Sequence, residues 1–199
     1  MTENLKIATI AGCSAIIGGL VSGSYQHVRD FLTRPRLQID FKGTEANRVE
    51  IEIVINGSQV SEIYLRAGVR NRGRQGVKGC RVYLAGVKEV HPTHLNPTAF
   101  YDPMPLSWPN RDFETRDMPR GVDMYVDIVR ISRHSPGWNF SVKDLLASAL
   151  KLLNYSGTYR LYLVATAENA SPAMCQVDVT YKQDWNTLRV AESKHRRFT

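Results

Sequence analysis

Period-two alternation recurs along most of this 199-residue chain, and that pattern leaves little room for anything but antiparallel β-structure. In RVEIEIVI, Val49, Ile51, Ile53 and Ile55 fall on one side of a strand, and Glu50 and Glu52 on the other. EIYLRAGVR places Ile63, Leu65, Ala67 and Val69 inward, and CRVYLAGV does the same with Cys80, Val82 and Leu84. LQIDF, VDMYVDIVRI, TYRLYLVATAEN and MCQVDVTY continue the theme. Alternation with β-branched and aromatic residues means strands with one buried face, about seven or eight in all. Asn56-Gly57, Asn71-Arg72-Gly73 and Ala170-Ser171-Pro172 supply turns between them. The expected class is mainly β, an antiparallel β-sandwich with one inserted helix, and a closed barrel is the alternative. The helix is read from SVKDLLASALKLLN, with Ser141 as N-cap and the span 143–153 as its body.

At 43% hydrophobic residues, the chain can bury a core without covalent staples. Its three cysteines, Cys13, Cys80 and Cys175, show no metal spacing and no disulfide framework. A reducing compartment is the simpler reading; the alternative has Cys80 meeting Cys175 across the sandwich.

Residues 7–26 carry no charge. As a helix they would span about 30 Å, the hydrocarbon thickness of a bilayer. Ala11, Ala15, Gly19 and Gly23 recur every fourth position and form a ribbon of small residues, the kind of face along which two membrane helices approach. A cleaved export signal and a soluble core helix are the rival readings. Lys6 precedes the segment, and Arg29, Arg34, Arg36 and Lys42 follow it. The positive-inside rule then sets the N-terminus outside and the rest in the cytoplasm, at a cell inner membrane. The expected division is an anchor over 1–26, a juxtamembrane linker over 27–36, the sandwich over 37–185 and a basic tail over 186–199.

The net charge is +7, and the strongest local excess lies between residues 63 and 88. Arg66, Arg70, Arg72, Arg74, Lys78, Arg81 and Lys88 occur there without one acid. If the flanking strands pair through RNRGRQGVKG, Arg66, Arg70 and Arg81 share one outer face, and the loop extends it. Such a patch suits anionic lipid headgroups or a phosphorylated small ligand; a solvated sheet face is the bland alternative. Nucleic acid is the less favoured partner. His91-Pro-Thr-His94 lacks a third ligand, and no metal or cofactor is expected. In the long region 91–121, Asp102, Asp112, Glu114 and Asp117 alternate with Arg111, Arg116 and Arg120, which reads as a mixed-charge loop. No nucleophile elbow, P-loop or dinucleotide fingerprint is present.

The stretch VRNRGRQGVKGCRVYL resembles the strand-turn-strand signature of CARDB-type Ig-like modules of prokaryotes. Val69, Asn71 and Gly73 stand in the turn, and Cys80, Val82 and Leu84 in the strand. TYRLYLVATAENASPAMCQVDV is similar to the final hairpin of such a sandwich. The resemblance covers residues 60–182 and departs from the pattern at the proline-rich loop and the inserted helix. It implies an interaction or assembly domain without an active site, carried behind one N-terminal membrane anchor. The expected function is therefore a non-enzymatic module with an unknown protein partner, self-associating through the anchor. The alternative is a ligand-gated membrane effector, as in phage defence, that senses an anionic nucleotide-like signal.

Overall fold

The computed structural model describes residues 33–55, 57–98, 100, 102–132, 138–143, 156–182, 184 and 187–191, with Tyr25, Val28 and Arg29. The expected anchor with Ala11, Ala15, Gly19 and Gly23, and the expected helix beyond Lys143, lie outside the described residues. Among the described residues no helix is long and apolar enough to cross a membrane. The chain divides into two compact units, Met1–Arg34 and Pro35–Thr199. All the strands among the described residues belong to the second.

The strands are β1 (Leu37–Asp40), β2 (Arg48–Ile55), β3 (Ser58–Asn71), β4 (Val77–Val90), β5 (Leu95–Pro97), β6 (Met104–Pro105), β7 (Arg116–Met118), β8 (Asp123–Ser132), β9 (Trp138–Phe140), β10 (Gly157–Thr166), β11 (Ala173–Tyr181) and β12 (Arg189–Ala191). They form two antiparallel sheets. In the first, β1 and β2 share one side of β3, with β8 and then β9 on the other. In the second, the order is β12, β11, β10, β4, and β5, β6 and β7 line the far side of β4 in succession.

The inner faces meet in one core. Ile63, Leu65, Ala67 and Val69 of β3 are buried there with Cys80, Val82 and Leu84 of β4, as alternation requires. Leu161, Leu163 and Ala165 of β10 and Val177 and Val179 of β11 complete the second sheet's contribution. Each such aliphatic side chain contributes roughly 1.5–3 kcal/mol by leaving water. Trp138 is the aromatic centre, packed against Phe140, Tyr159 and Tyr181.

One edge of the sandwich is closed by main chain. The Leu106 N–H donates to Val82 of the second sheet at 2.9 Å. One residue on, the Ser107 N–H donates to Ser141, and its carbonyl accepts from Asp127 of the first sheet, both at 2.8 Å. Residues 104–108 therefore bind both sheets, satisfying edge groups that would otherwise be open.

Four expectations are corrected. First, β3 and β4 do not pair. The loop 72–76 carries the chain from one sheet to the other, so their inward residues meet across the core rather than side by side. Second, Val49 and Ile51 do not point into the core. Opposite them on β3 stand Tyr64 and Glu62, on the outer face. The cause is the two-residue turn that pairs Ile55 with Ser58, with Gly57 at φ 79°, where a side chain would be strained. Third, region 91–121 is not simply an irregular loop, because β5, β6 and β7 occupy the free edge of β4. Fourth, the alternative in which Cys80 meets Cys175 across the sandwich does not hold: they lie on the same sheet with β10 between their strands, both buried and neither in a disulfide. In addition, β12 pairs with β11 and Leu188 joins the core, so the second sheet continues into the segment read as tail.

Candidate functional site

The outer face of the first sheet holds a ladder of balanced charge. On β3, the even-numbered residues face away from the core, and β8 presents acids opposite its arginines. Arg66 Nε lies 2.6 Å from Asp127 Oδ1. Arg70 reaches Asp123 at 2.9 Å and Asp40 at 3.9 Å. Arg130 stands 3.9 Å from Glu62, which also accepts a 2.7 Å hydrogen bond from the Tyr64 hydroxyl. A bulge makes the Arg66 pairing possible. Leu65 is opposite Val129 and Arg66 opposite Asp127, with Ile128 as the extra residue between them. Asp127 is only 2% exposed. Burial raises its pKa, and the Arg66 guanidinium opposes that shift. The Tyr64 hydroxyl is raised as well, by burial and then by the neighbouring Glu62.

The six basic residues expected to form one patch are thus divided. Arg66 and Arg70 are committed to carboxylates on the first sheet. Arg81 lies on the outer face of the second sheet, opposite Thr166 of β10. Its Nε is buried with no hydrogen-bond partner among the described residues. Arg72, Arg74 and Lys78 remain together, exposed, at one end of the sandwich.

Asn71 builds that end. Its side chain is buried, and every polar position on it is used. Oδ1 accepts from Gly73 at 2.9 Å and from Arg36 at 3.3 Å. Nδ2 donates to Gln75 at 2.7 Å and to Met118 at 3.5 Å. The Arg72 N–H donates in turn to the Arg36 carbonyl at 2.8 Å. The loop 72–76, the end of β7 at Met118, and the point where the chain joins the sandwich are all fixed by one amide. Across β4, the Lys78 N–H donates to Asn169 and the Asn169 amide donates to Gly76, which adds the β10–β11 turn to the same end. Gly79 sits in the β4 bulge at φ 60°, and a Cβ there would meet Glu168 Oε1 at 2.6 Å. Exposed on this end are Arg36, Arg72, Arg74, Lys78 and Arg120. Asp117, which accepts from the Gly79 N–H, and Glu168 are the acids beside them.

Elsewhere the expected chemistry is structural. Asp112 pairs with Arg116, and its pKa is lowered first by the Glu114 N–H and then by that arginine. His91 and His94 stack with ring centroids 5.0 Å apart. No group of three metal-ligating side chains occurs among the described residues. Cys80 is pushed up to about 11 by burial, far from a nucleophilic thiol.

Sequence reasoning missed a cleft of about 250 Å3 on the first sheet's outer face, lined by Tyr64, Ser107, Phe113, Arg130, Ser141 and Lys143 among others. None of the six expected arginines and lysines lines it. Its residues come from five separate segments, and only the outward parity of Arg130 between Val129 and Ile131 hinted at it. Ser141 was expected as the cap of a helix that lies outside the described residues; its main chain bonds Ile128 and Ser107.

No family model, curated protein or solved structure matches this chain. The functional reading therefore rests on the residues themselves.

Proposed function

We propose that this chain is a non-enzymatic, Ig-like interaction module held at the cytoplasmic face of an inner membrane by residues 1–26. The end of its sandwich bearing Arg36, Arg72, Arg74, Lys78 and Arg120 rests on anionic lipid headgroups. The observation that carries this reading is the bond network of Asn71. It ties Arg36, the point where the chain joins the sandwich, to the loop that presents Arg72 and Arg74. An anchor ending near residue 26 would leave the 27–36 linker as the only spacer, so this end is the one nearest the bilayer. Each lysine or arginine at an anionic surface contributes about 1 kcal/mol. The outer-face arginines Arg66 and Arg70 add nothing to this, since their charge is spent on Asp127 and Asp123. The face left free for a protein partner is the second sheet's, where Tyr83, Tyr162 and Met174 are partly or fully exposed.

The test is hydrogen–deuterium exchange of the full chain in nanodiscs. Loop 72–78 is expected to be protected in discs containing phosphatidylglycerol and not in pure phosphatidylcholine. Equal exchange in the two would overturn the headgroup reading. Release of the chain from membranes by alkali would overturn the anchor. The second reading, a ligand-gated effector, is favoured by the cleft at Arg130 and Lys143.

A further inference from the structure

We infer that the cleft beside β8 and β9 is a binding site for a small planar aromatic anion, an aryl carboxylate or aryl phosphate. The inference does not rest on the lipid reading, because the cleft lies on the sheet face, six residues along β3 from Arg70.

Along 138–140, Trp138 and Phe140 are buried, while Asn139 is paired with Arg130 on the outer face. The chain that leaves β9 then lines the cleft continuously, with Phe140, Ser141, Val142 and Lys143 all against it beside Arg130. The seam segment adds Ser107, which stands opposite Asp127. The floor and wall are rings, Tyr64 and Phe113.

The polar groups there are short of partners. The hydroxyls of Ser107 and Ser141 and the ammonium of Lys143 have no hydrogen-bond or ion-pair partner among the described residues. The main chains of Ser107 and Ser141, in contrast, are fully engaged in the seam. Arg130 stands 3.9 Å from Glu62 and also meets the Tyr64 hydroxyl. Arg66, the other nearby cation, is turned away from this role. Its Nε is on Asp127, and its guanidinium carbon sits 5.6 Å from the Tyr64 ring centroid. Two cations and two hydroxyl donors converging on one small cleft suit a single oxyanion. The aromatic side chains suit a flat ring attached to it, and the volume, about 250 Å3, falls just below the usual range for drug-sized ligands, which restricts the occupant to a single small ring.

Tyr64 has a defined part in this. Its hydroxyl donates to Glu62 and also meets Arg130, which places the residue against the cleft it lines. The adjoining arginine fixes that ring in place from the other side.

The experiment is isothermal titration of the full chain in non-ionic detergent with four probes: phenyl phosphate, benzoate, inorganic phosphate and benzyl alcohol. At least one of the two aromatic anions is expected to bind saturably. Inorganic phosphate and benzyl alcohol are expected to bind at least about ten-fold more weakly, since each lacks one half of the recognition. The two aromatic anions distinguish a carboxylate ligand from a phosphate ester. Lys143→Gln and Phe113→Ala should each weaken the better probe by about ten-fold. Lys143 is exposed, so its replacement leaves the fold intact and keeps the test decisive if Arg130→Gln, which strands Glu62, fails to fold. No saturable binding of either aromatic anion, equal affinity for inorganic phosphate, or indifference to both substitutions would each overturn the proposal.

Discussion

A single amide side chain has the largest structural reach of any polar group described. Asn71 accepts twice and donates twice, and its four partners come from three stretches of chain. Truncating it leaves main-chain groups unpaired where water enters poorly, and each such group costs about 1–3 kcal/mol. Asn71→Ala is expected to lower unfolding stability by about 3 kcal/mol in urea, with little change in the denaturant slope. Arg74→Ala, three residues beyond Asn71 in chain order but exposed, should stay within about 0.5 kcal/mol. Comparable losses for the two variants would show that the amide is not the organising group. The same comparison separates structure from binding, since Arg74→Ala should reduce headgroup protection while leaving stability unchanged.

At the scale of the element, the β2–β3 hairpin shows how much was legible and where the reading broke. Residues 63–69 alternate cleanly and are buried as read. Residues 49–55 alternate just as cleanly, yet Val49 and Ile51 lie on the other face. A two-residue turn pairs odd positions of β2 with even positions of β3, so the two apolar sets cannot both face one core. That contradiction was already present in the residue numbers. What periodicity could not contain was the sheet change in loop 72–76, because a local pattern is the same whether a strand pairs with its neighbour or crosses the core. The basic patch dissolved for that reason. Arg66 and Arg81 were each correctly read as outward, but outward from different sheets. The cleft was illegible for a related reason, since Tyr64, Ser107, Arg130 and Lys143 meet only through long-range register. The hairpin yields a direct check. Val54 is 74% exposed, so Val54→Lys should change stability by less than about 0.5 kcal/mol. Gly57→Val forces a β-branched residue into positive φ and should cost about 1–2 kcal/mol. Thermal unfolding of the two variants decides it; a large loss from Val54→Lys would mean that β2 buries the face described as open.

For the sandwich as a whole, the question is whether two sheets joined along one edge by residues 104–108 open together. The main chain of Leu106 is bound to β4 and that of Ser107 to β8, one residue apart. Neither sheet can peel away without breaking bonds that the other holds. Cys80 and Cys175 report on this from two different strands of the second sheet, both with buried thiols. Burial raises the Cys80 pKa, so the closed sandwich holds very little thiolate at neutral pH and labelling has to wait for opening. In a Cys13→Ser background, both should therefore be labelled by a thiol reagent only through global unfolding, at one common rate, with mass spectrometry assigning each site. Replacing Leu106 by Pro removes the N–H that holds β4 and should separate the two rates, because strands near the seam then open before the rest. If Cys175 were labelled far faster than Cys80 in the unaltered seam, the β10–β11–β12 edge would be opening on its own. The seam would then be a local cover over one edge and not the link that makes two sheets a single cooperative unit.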